Sequence, residues 1–346
     1  MPRLVLIVTP LFLVAATACL MSGRDSDPGS AEPRAGDGGA PRELQAAITA
    51  GLASLERQGE AWITERKCVS CHQIPVMVWA HAEARERGFP VDDARLDGWI
   101  EWSVSETVGS SNADGAYQLL LGLIDALPEE RLAGLASTVA SRQQADGSWK
   151  AGGQLPQQRR PPAESHRVST HWAIHALATT GAEPSSVARG SHRVRSWLAA
   201  GGAAESTETL AVSLISSHHL DRPETQRRFR DELLRHQRAD GGWGWRIGEA
   251  SDALATGQAL YALRVTGSQV DEPAVRRGRD FLVSTQRDDG SWEVPGTLAE
   301  AHGPVPTSNH WGTGWAVIAL LRTLPGSDDR DIDRAAIDPS AALPPG

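Results

Sequence analysis

Cysteine is scarce: the chain of 346 residues holds three, Cys19, Cys68 and Cys71. After Cys19 a single pair remains, and a tetrahedral zinc site normally needs a second Cys/His pair, so scarcity counts against structural zinc. Positive charge is not in excess. With 34 Lys+Arg against 43 Asp+Glu the net charge is −9, which gives no reason to expect a nucleic-acid or membrane-surface partner. Methionine is limited to Met1, Met21 and Met77, and there are four Phe and two Tyr beside twelve Trp. No βαβ pattern surrounds the cysteine pair, which excludes a thioredoxin-like setting. What is present, 40% hydrophobic and 22% charged residues, suits a globular fold of one large domain or two ordinary ones.

Residues 1–18 carry one early Arg, an apolar run from Leu4 to Ala15, and Ala16-Thr17-Ala18. A short apolar run ending in A-x-A is expected to be a secretory signal peptide, not a membrane span. Cys19 follows directly, and the site resembles the lipobox of bacterial lipoproteins, with Ala16 where Leu is preferred. That resemblance implies a lipid anchor on Cys19; otherwise the cysteine is incidental to a plain signal. Either way the chain is expected to be exported, as a periplasmic protein or one anchored to a bacterial membrane. Residues 19–41, rich in Gly, Pro, Asp and Ala, read as a flexible tether, and 327–346 as a disordered tail. Residues 42–326 are left to form the fold.

Three segments share one pattern: ASTVASRQQADGSW (136–149), RDELLRHQRADGGW (230–243) and GRDFLVSTQRDDGSW (278–292). Each predicts an amphipathic helix reaching Gln, then Asp-Gly, then Trp two residues past the Gly. Gly after a helical run takes the left-handed conformation that stops it, and a Trp beyond can fold back over the helix end. A weaker copy, GLASLERQGEAW (51–62), opens the ordered part. More apolar segments follow, each opening on Ser, Thr, Asn or Asp, which are good N-caps. Pairing them predicts six hairpins: 42–62 with 67–87, 92–106 with 112–127, 130–145 with 167–180, 187–200 with 205–218, 223–238 with 251–266, and 271–287 with 308–324. Such periodicity signals a repeat architecture. The second helices, apolar nearly all round, belong inside. The expected fold is all-α: an α/α toroid with inner and outer layers and every inner-helix N-terminus at one mouth.

The Gln…Asp-Gly-x-Trp segments resemble the QW repeats of the squalene–hopene cyclase and related terpenoid cyclase family. The resemblance covers about residues 45–325 as architecture. It is specific at Gln144/Asp146/Gly147/Trp149, Gln237/Asp240/Gly241/Trp243 and Gln286/Asp289/Gly290/Trp292. It implies a toroid in which these Gln and Trp residues brace helices and do no chemistry. The family's acid is the central Asp of D-x-D-D-T, opening an inner helix. The nearest stretch here is Asp252-Ala253-Leu254-Ala255-Thr256, with Leu254 at the acid position, so cyclase activity is not expected. With most Trp in turns, the aromatic wall that stabilises carbocations also looks thin. The protein prenyltransferase branch needs an Asp/Cys/His zinc site, for which no Cys is spare.

The cysteine pair sits in Lys67–Pro75, KCVSCHQIP. Cys68-Val-Ser-Cys71-His72 fits C-x-x-C-H, in which two thiols add to the vinyl groups of one haem and the adjacent His ligates its iron. A Cys68–Cys71 disulfide and a zinc half-site are the other readings. The pentapeptide resembles the attachment motif of c-type cytochromes, which implies haem c on an incipient helix, although no separate cytochrome domain is visible. Met77, five residues past His72, cannot easily reach round a haem. The iron is then five-coordinate or takes a histidine from another inner helix. His310 is the first choice and His171 the second, with His166 and His302 near the same helix starts. A histidine at a helix start is as readily a cap or surface residue. His175, deeper on an apolar face, reads as core.

Asp114, Glu205, Glu208 and Asp252 fall at inner-helix starts. A pair of them would suit glycoside chemistry, and capping and the helix dipole explain them as well. The insertion Gly152–Glu164 is long for a turn; Arg159 and Arg160 on it would cover haem propionates or lie in a solvated loop. Two functions follow. One is an exported haem protein for electron transfer or redox sensing, serving an unidentified redox partner protein. The other is a toroid-cavity enzyme with an unidentified small-molecule substrate: a haem-dependent oxidoreductase or, less well supported, a cyclase or glycan-active enzyme. A third reading, a binding module with a disulfide and no haem, predicts a colourless protein.

Overall fold

The computed structural model describes residues 40–70, 72–152, 155–180, 203–300 and 303–324. Among them lie eleven α-helices: α1 Ala40–Arg66, α2 Ile74–Glu86, α3 Asp93–Thr107, α4 Ala113–Gly122, α5 Glu129–Ala140, α6 Pro162–Thr179, α7 Thr207–His219, α8 Pro223–Arg235, α9 Ala253–Val265, α10 Pro273–Thr285 and α11 Pro306–Arg322. A 3-10 turn spans Leu155–Gln157, and β-structure among the described residues is limited to isolated bridges. The signal peptide, Cys19, the tether to residue 39, the helix expected at 187–200, His302 and the tail at 327–346 lie outside the described residues. No helix among the described residues is long and apolar enough to cross a membrane.

The repeated turns are built by one set of bonds. The indole N–H groups of Trp149, Trp243 and Trp292 donate to the carbonyls of Val139, Leu233 and Leu282, in the last turns of α5, α8 and α10, at 2.7, 2.8 and 2.8 Å. The Val139 and Leu233 carbonyls also accept the Arg142 and His236 backbone N–H groups at 3.1 and 3.2 Å, so there the Trp adds a second, shorter donor where the regular helical ladder ends. Each Trp backbone N–H donates in turn to a Thr hydroxyl of the next inner helix: Thr170, Thr256 or Thr313. Gly147, Gly241 and Gly290 make the reversal at φ 89°, 90° and 79°, where a side chain would be strained. A Gln side-chain amide donates across each turn, from Gln143, Gln237 and Gln286 to the carbonyls of those glycines. The first brace is therefore Gln143, not the expected Gln144, whose amide donates to the Arg142 carbonyl. Counting back from the Trp settles it, because the brace must stand one helical step before the Asp-Gly reversal.

The weak fourth copy makes no turn. α1 runs unbroken through Gln58-Gly59, because no Asp-Gly reversal follows the Gln. Gly59 serves a close approach instead: a Cβ there would collide with Met77 Sδ of α2.

The inner helices α2, α4, α6, α7, α9 and α11 each neighbour the next, and α11 returns to α2, closing the ring. They are buried all round: α2 from Ile74 to Ala84, α9 from Ala253 to Arg264. Outer helices bury one stripe, as α10 does with Val275, Gly278, Phe281 and Leu282. The fold is an all-α α/α toroid. α6 begins at Pro162, earlier than expected, because Pro at the first helical position starts a helix without losing a bond.

Candidate functional site

The mouth of the ring gathers side chains from five inner-helix beginnings. His72, just before α2, Asp114 of α4, Val168 of α6, Glu208 of α7 and Trp311 of α11 line one pocket, with Tyr117 and Arg160. Its volume is about 10 Å³, room for roughly one water.

The motif itself is a loop and not the incipient helix expected. α1 ends at Arg66, α2 begins at Ile74, and Lys67 and Ser70 take left-handed backbone at φ 49° and 58°. The loop is clamped at both ends. Trp62, the indole of the weak fourth repeat, donates to the Cys68 carbonyl at 2.8 Å. His310 Nε2 lies 2.9 Å from the Gln73 carbonyl oxygen and donates to it. Cys68 is exposed, and Cys71 lies outside the described residues. His72 turns inward, its ring 6.0 Å from that of Trp311, and burial holds its pKa down to about 4, so the imidazole is neutral at pH 7.

Of the distal candidates, His310 is beside this loop and fully engaged in the core; with Nε2 donating to Gln73, its Nδ1 lone pair is buried and without a partner. His171 is different. Its Nδ1 lies 2.8 Å from Ser216 Oγ and its Nε2 3.3 Å from Ser213 Oγ, so both ring nitrogens are used in joining α6 to α7. His166 accepts the Ala151 backbone N–H on Nδ1. His175 is core as expected, linked to His219 and Tyr261, each at 2.8 Å. Met77 is buried against Gly59 of α1.

The insertion is a strap and not a solvated loop. Arg159 N–H donates to the Thr297 carbonyl and Ala299 N–H to the Gln157 carbonyl, tying the insertion across the mouth to the segment before α11. Arg159 pairs with Glu249 at 2.8 Å. Arg160 is buried and pairs with Glu208 at 2.8 Å, while Trp172 and Gln258 donate to the other Glu208 oxygen. Arg160 Nη2 and Trp311 Nε1, both buried, have no partner.

The other carboxylates separate. Asp114 reaches the mouth pocket, where Tyr117 O–H and Gly152 N–H donate to it and burial pushes its pKa up. Glu205 is half-exposed and pairs with Arg246. Asp252 caps α9, accepting the Ala255 and Trp245 N–H groups, and burial pushes it up to about 7. Leu254 is buried on α9 and Thr256 braces Trp243, so the residues that resemble a cyclase acid motif perform cap and turn duties.

The aromatic wall is thicker than the sequence suggested. Trp79, Tyr261 and Trp315 meet one another at 5.3–5.4 Å between rings, and Trp172 adds a contact to Trp315 at 5.2 Å. Tyr117 stacks on Trp172 at 6.3 Å. These rings, contributed by α2, α4, α6, α9 and α11, pack against one another between the inner helices. The signal was there: Trp311 and Trp315, and Trp172 and His175, recur at helical spacing on apolar helices.

Buried neutral imidazoles and a buried raised carboxyl act oppositely on stability. His171 is held down to about 3 and His219 to about 4, chiefly by burial. Their stabilisation is present above pH 6.5 and lost as pH falls toward 4, because the unfolded chain takes up protons the fold refuses. Asp252 lends stability at low pH that fades as pH rises from about 4 to about 7. In thermal melts, the gap between wild type and His171→Gln should shrink on acidification from pH 7 to 4. The gap to Asp252→Asn should widen over the same range. Gaps independent of pH would show that these groups are solvated.

Residues 194–287 match the family described as the squalene-hopene cyclase N-terminal domain. A copalyl diphosphate synthase of Streptomyces anulatus is 34% identical over 122 residues, 33% of this chain and 20% of that protein. A squalene–hopene cyclase of Bradyrhizobium diazoefficiens is 38% identical over 78 residues, 19% of this chain and 12% of that protein. The scaffold is a terpenoid cyclase-like toroid. The chain nevertheless spans a fifth or less of the length of these curated relatives. Among solved structures, a possible member of the GH105 family from Salmonella enterica serovar Paratyphi A aligns with TM-score 0.57 at 14% identity, over 86% of this chain and 99% of that one. The unsaturated glucuronyl hydrolase of Bacillus sp. GL1 aligns with TM-score 0.55 at 16% identity, over 82% and 98%. At such identities the likeness is one of fold alone.

Proposed function

We propose that this is an exported c-type haem protein in which a cyclase-like toroid carries the cofactor at its mouth and serves electron transfer. Cys68 and Cys71 would hold the haem covalently and His72 would ligate the iron. The observation that carries the reading is the placement of His72: the residue after the cysteine pair is a neutral imidazole in the pocket at the toroid mouth. Two buried donors without partners, Trp311 Nε1 and Arg160 Nη2, belong to residues lining that pocket and suit the carboxylates of a haem. The donor set fits the group. The room does not exist while the strap is closed, since the pocket holds about 10 Å³. Loading therefore requires the strap at residues 155–161 to lift or His72 to turn outward. When bound, the haem supplies an iron that accepts and returns one electron. The clamps at Cys68 and Gln73 hold the loop's backbone, and His310, which donates to the Gln73 carbonyl, would serve as a distal ligand or as the positioning residue for His72. His171, with both nitrogens engaged, is set aside.

Expression with a cytochrome c maturation system tests this. The mature chain should stain for haem on a denaturing gel, and Cys68→Ser with Cys71→Ser should abolish the stain. His72→Ala should keep the stain and change the iron's spin state. A six-coordinate low-spin spectrum favours electron transfer with a redox partner protein, and an open high-spin site favours a haem enzyme. No haem on the wild-type chain, beside a control cytochrome that matures, would sink the proposal in favour of a Cys68–Cys71 disulfide.

A further inference from the structure

A chain of three titratable side chains crosses the core and shares no residue with the mouth pocket. Tyr261 of α9 is 2% exposed, and its hydroxyl lies 2.8 Å from His175 Nε2 of α6. His175 is 3% exposed, and its Nδ1 lies 2.8 Å from Nε2 of His219, the last residue of α7, which keeps partial exposure. Each bond needs one donor and one acceptor. The tautomer that keeps the phenolic O–H within the chain runs one way. Tyr261 O–H donates to His175 Nε2, and His175 Nδ1–H donates to His219 Nε2. Burial first, and then His219, Arg322 and His218, hold the His175 pKa well below the usual range, so the ring is neutral. Apolar groups of the same shape would serve packing about as well, so packing alone does not call for a phenol and two imidazoles here.

Tyr261 also belongs to the aromatic cluster. Its ring lies 5.4 Å from those of Trp79 and Trp315 and 6.1 Å from Trp172. Trp172 meets Tyr117 at 6.3 Å, and Tyr117 lines the mouth pocket. Trp311, on the same pocket, stands about one helical turn before Trp315 on α11. Two lines of neighbouring rings therefore lead from the mouth to Tyr261. Indoles and phenols are among the side chains that give up a single electron, and an electron crosses between neighbouring rings more readily than across saturated groups. The surroundings set where such an oxidation comes to rest. The N–H groups of Trp79 and Trp172 donate to Glu83 and Glu208, carboxylates already bound by Arg322 and Arg160, which lower their affinity for a further proton. The Arg322 guanidinium also lies over the Tyr261 ring, 4.8 Å from its centre, and opposes positive charge on it. Tyr261 must therefore lose a proton as it loses an electron, and a neutral imidazole stands within hydrogen-bond reach to take it.

We propose that Tyr261 is a redox-active tyrosine, which supplies one electron through the tryptophan cluster to an oxidant acting at the mouth and one proton to His175. The oxidant, a one-electron acceptor of the class of a trivalent metal complex, is reduced by one electron. The Tyr261 O–H bond breaks, an N–H bond forms at His175 Nε2, and His175 Nδ1 passes its own proton to His219 Nε2. Tyr261 is left as a neutral radical, and its reduction returns the electron and the proton. The proposal does not depend on the haem reading, since the oxidant comes from solution.

The test is flash oxidation of the full chain with tris(bipyridine)ruthenium(III), made from the ruthenium(II) complex by light and persulfate, and read by electron paramagnetic resonance. The chain has two tyrosines, Tyr117 and Tyr261, so the assignment is direct. Wild type should give a neutral tyrosyl signal that is retained in Tyr117→Phe and lost in Tyr261→Phe, where the oxidation stays on tryptophan. In deuterated water the signal should grow more slowly, because an O–H bond breaks in the step. His175→Leu should lose the tyrosyl signal although Tyr261 is still present, whereas a merely loosened core would expose the phenol and keep it. Tryptophan signals alone in wild type, a tyrosyl signal that vanishes in Tyr117→Phe, one undiminished in His175→Leu, or a growth rate unchanged in deuterated water would overturn the proposal. Should Tyr261→Phe or His175→Leu unfold the chain, Tyr117→Phe still decides, because Tyr261 is then its only tyrosine.

Discussion

Trp243→Ala should cost the fold about 3–5 kcal/mol, measured as the loss of unfolding free energy in urea. The indole is completely buried, and Trp243 touches Leu233 of α8, Thr256 of α9 and the Gly278 position of α10. Its N–H donates to the Leu233 carbonyl at 2.8 Å, a shorter bond than the 3.2 Å one that carbonyl accepts from the His236 backbone N–H. A Cβ on Gly278 of α10 would stand 3.0 Å from the ring, so that helix rests directly on it. Truncation therefore leaves a cavity, which neighbouring helices cannot collapse without breaking their own contacts, and leaves the Leu233 carbonyl with only its longer bond from His236. Trp243→Phe separates the two effects, since it keeps most of the volume and loses the donor; about 1 kcal/mol is expected. Trp149→Ala and Trp292→Ala should behave alike, because both rings are buried and make the same bond to Val139 and Leu282. A loss below about 1 kcal/mol at all three positions would show that the turns stand without their indoles.

Glu208→Ala should cost a similar amount, about 3–5 kcal/mol, for a different reason. Arg160 and Glu208 are paired at 2.8 Å with side chains 0% and 2% exposed. Taking both charges out of water gains little net stability, but removing one leaves the other uncompensated in a dry site. Arg160 would keep bonds to Ser165 and Ser206 and its place over the Trp245 ring, none of which carries a negative charge. Trp172 and Gln258 would lose their shared acceptor as well. The double variant Arg160→Met with Glu208→Leu should recover more than half of the loss, since neither charge is then stranded. Denaturant unfolding of the four members of the cycle measures this. Additive losses would mean that the pair is hydrated and that the strap is not held by it. In the haem-loaded protein, Glu208→Ala should also loosen the strap beside His72, seen as faster binding of an added ligand such as imidazole.

The turns and the alternation of one-striped and fully apolar helices were legible in the sequence by itself, because each is set within about twenty residues, whereas the C-x-x-C-H segment expected on an incipient helix is a loop. Gly needs its left-handed backbone, a helix end needs donors, and an apolar helix needs a place inside, whatever surrounds them. Even there the reach was limited: the expected brace Gln144 proved to be Gln143, whose amide bonds the Gly147 carbonyl, and α1 passed through a sequence that resembled a turn. Tertiary structure alone decided what the mouth contains. His310 meets the carbonyl of Gln73 across 237 residues, and Arg322 meets Glu83 across 239, contacts that exist only because α11 returns to α2. Which face an inner helix turns to the axis depends on a rotation of about 100° per residue and on five neighbours at once. So the aromatic cluster of Trp79, Trp172, Tyr261 and Trp315 and the burial of Arg160 follow from ring closure, not from any local pattern.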